Sequence, residues 1–359
     1  MEDIGEEQLR RTLAFDQYCR FATTRDIINI NRNDQERYRI LDVGGRGNLL
    51  QNFMPEDDVF YLDPLIDSDD HNYIEGDGCD IPLEDGSFDF VVSSDVFEHI
   101  EPSRRKLFLM ENLRVARLGV ILGAPFYSEE VELAEKNAND SYRLISRGDD
   151  HFWLKEHIEN GLPRNEEVED PLRANGYDFQ KIPINNLCLW EQMLCSSFIL
   201  LAADKLDKAK EFNQFYNEQL YPYDHDEGSY RTIYFIKKEK DLKNLSFEKD
   251  GVSTSLHLEA IKNNFNLLSQ VYLEDKEKYE QLRKDYQEKE ILVIKKNEEI
   301  EAKQQHLEHL KKELRTSREE IQRIHSSRSW QITRPLRAAG MTVRRLVELA
   351  NRTRTPGAS

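Results

Sequence analysis

Cysteine is scarce in this chain. The four present, Cys19, Cys79, Cys188 and Cys195, are scattered and form no CxxC pair. That excludes a zinc ribbon or a dithiol redox site and predicts free thiols in a reducing compartment. Long apolar runs are also missing. The longest, FILLAA at 198–203, is far short of a bilayer span, which takes about 20 residues. The N-terminal MEDIGEEQLRR is acidic and lacks an apolar core, so no signal peptide is expected. Positive charge is in deficit, with a net charge of −18. Binding by phosphate neutralisation is therefore disfavoured, and no nucleic-acid partner is expected. These absences together predict a cytoplasmic chain, or one peripheral on the cytosolic face of a membrane.

What is present divides in two. Residues 1–240 hold aromatics, Pro and Gly in ordinary globular proportion. Beyond about residue 256 the chain is nearly devoid of Gly and Pro for some seventy residues and dense in Glu, Lys and Gln. The expected layout is a globular domain over 1–240, a linker over 241–256, a coiled coil over 257–325 and a basic tail over 326–359.

Within 1–240, YRILDV (38–43), DVFYLD (58–63), FDFVVSS (88–94) and GVILGAPF (119–126) are near-continuous apolar runs of strand length. Parallel strands buried on both faces look like this. Between the third and fourth lies SRRKLFLMENLRVAR (103–117), an amphipathic helix begun by Pro102–Ser103. YDFQKIPI (177–184) and YRTIYFIKK (230–238) read as strands around a helix near 186–217, and the late Tyr-rich strand suits an antiparallel closing position. This alternation predicts a doubly wound α/β sheet.

Ligands of such sheets bind at the carboxyl ends of the strands. After the first run comes LDVGGRGN, with Gly44, Gly45 and Gly47. After the second comes Asp63, and after the third Ser93, Ser94 and Asp95. GDGCDIPLEDGSFD spans 76–89. A dinucleotide fingerprint requires GxGxxG, and neither register of the glycine turn completes it. An acid at the second strand end can hold ribose hydroxyls, and Asp77 with the Gly78 backbone can meet an adenine edge. An adenosine ligand without phosphate fits these residues better than NAD.

LDVGGRGN, YLDP, GDGCDIPLEDGSFDFVVSSDVFEHI and GVILGAPF resemble the ordered motifs of class I S-adenosylmethionine-dependent methyltransferases, over roughly residues 35–130. The resemblance implies a Rossmann-like class I methyltransferase sheet with helices on both faces. It also implies S-adenosyl-L-methionine (AdoMet) as cofactor, contacted by Gly44, Gly45, Gly47, Asp63, Asp77, Gly78 and Ser93. The family turn reads DxGxGxG. Arg46 and Asn48 stand at its second and third glycine positions, so the turn is atypical. Arg46 can pair with the methionine carboxylate or point to solvent.

Methyl transfer to a hydroxyl needs a base that removes its proton. His99, in DVFEHI, and His151, in DDHFWLKEH (149–157), are the candidate catalytic residues. His99 can equally orient its loop, and Phe152 and Trp153 can be core residues or platforms for a sugar face. Asp95, Glu98 and His99 resemble the acidic–His cluster with which some O-methyltransferases hold a divalent metal. Asp stands in place of the first Glu and further ligands are not evident, so no metal site is assigned. HFWLKEHIENGLP is similar to methyltransferases that accompany bacterial surface-polysaccharide enzymes.

Residues 261–324 carry a heptad. Phe265, Tyr272, Tyr279, Tyr286, Val293, Ile300, Leu307, Leu314 and Ile321 form an unbroken apolar series at a spacing of seven. The alternate series, from Leu268 to Ile324, is half polar, with Lys289, Lys296 and Lys303 at its centre. Read as positions a and d, this is a long parallel coiled coil, a dimer or trimer about 95 Å long. A single solvated helix is the alternative.

Beyond it, seven Arg (328, 334, 337, 344, 345, 352 and 354) face one acid, Glu348. After Gly340, residues Met341, Val343, Leu346, Val347 and Ala350 make one face of a short basic helix. With Trp330 nearby, this suits an anionic membrane surface or a protein-docking peptide. SWxxTxPLR resembles the sequence after coiled coils of bacterial O-antigen and capsule synthesis proteins. The whole layout is similar to chain-terminating enzymes of O-antigen export. No kinase signature is present, so methyl rather than methyl-phosphate capping is implied. The expected function is O-methylation of a sugar on a lipid-linked bacterial surface polysaccharide, with a glycosyltransferase as a candidate partner. A non-catalytic scaffold that recruits glycosyltransferases, and a methyltransferase for a small metabolite or protein, are the alternatives.

Overall fold

The computed structural model describes residues 5–33, 36–45, 49–65, 71–247 and 253–352. Arg46, Gly47 and Asn48 lie outside the described residues. The chain divides into two compact units, Met1–Glu274 and Asp275–Ser359.

The first unit opens with helices α1 (Glu6–Thr12) and α2 (Phe15–Ile30). Next come β1 (Arg39–Val43), α3 (Leu49–Phe53), β2 (Asp58–Asp63), β3 (Tyr73–Glu75) and β4 (Phe88–Ser94). They are followed by α4 (Arg105–Val115), β5 (Ala116–Pro125), α5 (Glu129–Ile145), α6 (Phe152–Asn160) and α7 (Asn165–Ala174). The sequence then runs through β6 (Asp178–Asn186), α8 (Leu187–Ala202), α9 (Leu206–Phe215) and β7 (Ser229–Lys237). The strands form one sheet in the order β3-β2-β1-β4-β5-β7-β6. β1 to β5 are parallel, and β7 runs antiparallel to both β5 and β6. This is the Rossmann-like methyltransferase sheet with helices on both faces.

The near-continuous apolar runs are explained by two core layers. Ile40, Tyr61, Phe90, Val92 and Ile121 pack on one side of the sheet in the same cluster as Tyr18 and Ile27 of α2 and Trp190 of α8. Leu41, Leu62, Val91, Val120 and Leu122 face the other side, with Phe108 and Leu109 of α4 and Leu172 of α7. Successive strand residues thus serve opposite layers. Each fully buried large apolar side chain contributes about 1.5–3 kcal/mol, so neither face can be left uncovered.

The structure departs from the sequence expectation at several places. β3 is only three residues long and was not anticipated. The late antiparallel strand sits inside the sheet, between β5 and β6, rather than at its edge. The single helix expected near 186–217 is two helices, broken at Asp204, whose φ is +57°. No residue before the first strand was assigned to an element, yet α2 covers the sheet with Tyr18, Ala22 and Ile27, all fully buried.

α10 runs from Ser253 to Ser326. Its early turns belong to the first compact unit, because Ala260, Asn264 and Val271 are buried there. Asn264 Nδ2 donates to Ser196 Oγ of α8 at 2.5 Å. Phe265 and Tyr272, on a different face of the same turns, stay 71% and 66% exposed.

The second unit holds the rest of α10, then α11 (Arg328–Ile332) and α12 (Arg334–Arg352). Ser327 Oγ caps α11 by accepting from the Trp330 amide at 3.3 Å. α12 does not start after Gly340, as the sequence suggested, but passes through it for 19 residues. One helical Gly costs only about 1 kcal/mol, and Pro335 is well placed in the first turn. The Arg337 guanidinium lies 3.5 Å from the Trp330 ring centroid. Of the expected tail residues, Ala350 and Arg352 are described in their backbone alone, and Arg354 lies outside the described residues. No described helix is long and apolar enough to cross a membrane.

Candidate active site

The glycine turn leaves β1 at Val43. Gly44 adopts φ +83° and donates its amide to Leu62 O at 2.7 Å, which ties the turn to the end of β2. A Cβ at Gly45 would stand 2.2 Å from Asp42 Oδ2. No side chain fits there, so the turn offers bare backbone to the space above it. That space is a cavity of about 400 Å³, lined by Gly44, Gly45, Ser94, His99, His151 and Tyr230 among others. Asp42 is also on its wall, and burial pushes its carboxyl up to about 7 against the pull of Arg20.

The other expected cofactor residues sit at the same carboxyl edge of the sheet but do not line this cavity. Asp63, 6% exposed, ends β2 and accepts from the Leu65 amide at 2.8 Å. Asp77 accepts from the Cys79 amide at 2.8 Å and from Arg104 Nη2 at 2.6 Å, and these bonds hold its carboxyl below the usual range. Gly78 packs on Phe108, where a Cβ would come within 2.5 Å of the ring. Ser93 is fully buried, whereas its neighbour Ser94 faces the cavity.

Both candidate bases reach the cavity. His99 closes a 3₁₀ turn, Phe97–His99, well before α4 begins. Burial pushes its pKa down, with His157 adding to the effect. His151 immediately precedes α6, its amide held by Asn139 Oδ1 at 2.9 Å and its ring packed against both Tyr142 and Phe198, which also touch each other. Burial lowers its pKa too, again with help from His157. Both imidazoles are therefore uncharged at neutral pH and able to accept a proton. Trp153 lines the cavity while 54% exposed, so it is not a core residue.

Arg20, His157, Tyr230 and Arg231 are wall residues that the sequence reading does not single out, whereas Asp95 and Glu98 are among those it names. Arg231, 5% exposed at the start of β7, donates to Asp95 through Nε at 2.5 Å and Nη2 at 2.7 Å. Arg20 of α2 also donates to Asp95. Burial opposes ionisation of Asp95, but the two guanidiniums prevail and its pKa is lowered. These contacts hold Asp95 at φ +53°, a conformation unusual for a non-glycine residue. Glu98 is 2% exposed, and burial, followed by Asp95, pushes its pKa well up. His157, on α6, sets its Nδ1 2.9 Å from Glu135 Oε1, and Tyr230 OH donates to the same oxygen at 2.7 Å. One signal was legible for Arg231: a cation inside an otherwise apolar strand run.

The residues fit AdoMet, because the turn presents backbone unobstructed by side chains to a cavity that also holds titratable groups. Gly44, Gly45 and Asp63 would hold it at the strand ends, with Asp77 and Gly78 farther along the same edge. Residues 61–123 match a methyltransferase domain family model. No curated protein sequence matches the chain. A Thermotoga maritima SAM-dependent methyltransferase, described as a possible histamine N-methyltransferase, is similar at 14% identity and TM-score 0.38. That match covers 62% of this chain and 92% of that one. Magnesium protoporphyrin IX methyltransferase from Synechocystis, with bound SAH, is similar at 10% identity and TM-score 0.38, over 62% of this chain and 84% of that one. By the family match and the ordered motifs around it, the chain carries a methyltransferase domain of the class I, S-adenosylmethionine-dependent type.

Proposed function

We propose that this methyltransferase acts on a sugar hydroxyl of a lipid-linked bacterial surface polysaccharide, an O-antigen or capsule, and caps the chain. The observation that carries the reading is the shared cavity. The glycine turn, a neutral His151 and the exposed Trp153 are all on its wall. Aromatic faces suit sugar rings, and the imidazole suits a hydroxyl proton. When bound, AdoMet supplies a methyl group on a sulfonium. His151 would take the proton that the acceptor hydroxyl gives up on methylation.

The second unit supports the same reading. Beyond residue 275 the heptad series stays exposed in the single chain, from Tyr279 at 66% to Ile321 at 53%. Pairing these residues in a homo-oligomeric parallel coiled coil would bury them. Leu336, Met341, Leu346 and Val347 of α12 are all more than half exposed, beside Arg344 and Arg345. Such a helix suits an anionic membrane surface, and several on one coil would act together. The coil then sets oligomerisation and spacing from the cytosolic face of the inner membrane, where a glycosyltransferase is the natural neighbour.

The test incubates the full chain with methyl-labelled AdoMet and separate acceptors: lipid-linked oligosaccharide, small amines and acids, and protein. Label in the lipid-linked fraction is expected. Label confined to another acceptor overturns the substrate assignment, and absence of AdoMet binding by calorimetry favours a scaffold. Flotation on anionic liposomes should require residues 326–359. Equal flotation without them removes the membrane contact.

A further inference from the structure

We propose that Glu98, His99 and His157 form a binding site for one divalent first-row transition ion in the wall of this cavity. One potential ligand atom from each lies within 4.8 Å of the other two. Three atoms bonded to one ion at about 2.1 Å stand roughly 3–4 Å apart, so closure needs a side-chain movement of about an ångström. The sequence shows Glu98 and His99 together but not the third ligand, because His157 is far from them along the chain. The turn after β4 and helix α6 bring them together, with the His99 and His157 ring centroids 5.0 Å apart.

Proximity alone would not carry the assignment. His157 Nε2, on a side chain 6% exposed, and Glu98 Oε2, in a residue 2% exposed, are buried atoms with no hydrogen-bond partner. Leaving such atoms unsatisfied is costly, and one cation satisfies both. The orientation of His157 is also that of a ligand. Glu135 at its Nδ1 keeps the ring proton there and leaves the Nε2 lone pair free, the carboxylate–histidine–metal arrangement. His99 Nδ1 lies 3.1 Å from Glu156 Oε2 but is likewise a buried atom without a hydrogen-bond partner. Asp95 is not a ligand, because Arg20 and Arg231 occupy its carboxylate. Three protein ligands leave coordination positions open. Two imidazoles and a carboxylate favour Mn²⁺, Fe²⁺, Co²⁺ or Zn²⁺ over Mg²⁺ and Ca²⁺, which prefer all-oxygen sites.

The role of the ion rests on the hydroxyl-methylation reading, whereas its binding does not. An acceptor hydroxyl on an open position is held and made more acidic. His99 then serves as a ligand, and His151 is left as the base.

The test titrates the full-length, untagged, chelator-treated chain with Co²⁺ and follows its visible absorption. One equivalent per chain is expected. His157→Ala should abolish the band, and Glu98→Gln should weaken binding at least ~10-fold. Glu135→Gln, which leaves all three ligands in place, should weaken it about 10- to 100-fold. Circular dichroism and AdoMet calorimetry on the same proteins report folding and the cofactor site. If His157→Ala does not fold, Glu135→Gln decides. No stoichiometric band in the wild type, or one unchanged in folded variants, overturns the metal site. The methyltransfer reading then survives wherever AdoMet still binds. Failure to bind AdoMet with Co²⁺ bound overturns that reading alone.

Discussion

Phe90 in the sheet is fully buried, while Tyr286 in α10 is 70% exposed. Both are large aromatic residues in regular apolar patterns of one chain. The sheet finds its second surface in its own helices, so a single chain completes its core. Beyond residue 275 the heptad series finds no such surface within the described residues of its unit. Its apolar energy becomes available only on association. The first unit should therefore respond to substitution as an autonomous domain, and the second as an interface awaiting a partner.

The largest expected effect breaks the first region from within. Arg231→Ala leaves Asp95 with Arg20 alone and strands Asn185 Oδ1, its partner at 2.9 Å. Removing one partner from a buried ion pair costs about 3–5 kcal/mol, which urea unfolding monitored at the globular unit will read.

Next is a pH effect confined to the same unit. His225 stacks on Phe247 with centroids 3.4 Å apart, and burial lowers its pKa from 6.5 to about 3. Below 6.5 the unfolded chain takes up a proton that the folded chain refuses until about pH 3. Stability thus falls as pH falls through that window, by about 1.4 kcal/mol per pH unit from this residue. Between pH 7 and 5, His225→Leu should lose roughly 2 kcal/mol less stability than the wild type, measured from urea midpoints.

A smaller effect sharpens the cofactor site. Gly45→Ala sets a methyl against Asp42 and should weaken AdoMet binding at least ~10-fold, about 1.4 kcal/mol, by calorimetry. In the second region, Arg344→Ala and Arg345→Ala should each weaken binding to anionic vesicles by roughly 1 kcal/mol, read by flotation at low salt. The smallest effect closes the comparison. Ile300→Asp with Leu307→Asp should abolish the proposed coiled-coil association, read by sedimentation. The same pair should change the stability of the globular unit by less than about 0.5 kcal/mol. A larger change would show that the two regions are not energetically separate.

The strands most legible in the sequence were those buried on both faces. β1, β2, β4 and β5 follow apolar runs whose alternate residues serve the two core layers. β3 was invisible because three half-polar residues carry no period, and α2 because its apolar residues are mixed with Asp16, Arg20 and Asp26. On the cavity wall, Gly44 and Gly45 were legible because they follow the end of β1, a strand end that can be read locally. His151 and His99 stood out as titratable groups near such ends.

The linear pattern was enough to identify the class of sheet, the adenosine-type cofactor and the unbroken heptad. Each rests on spacing along the chain, and spacing survives in any conformation of the reader's choosing. Only the tertiary structure brought Arg20 and Arg231 onto Asp95, set Glu135 behind His157, and turned Glu98, His99 and His157 toward one another. Apart from the adjacent Glu98 and His99, those contacts join residues from 22 to 136 positions apart, most of them from different elements. Their meeting depends on how helices lie across an open sheet, which no local period encodes. Burial then decided the chemistry, because the same imidazoles and carboxylates in water would keep their ordinary protonation and have no unsatisfied atoms to offer.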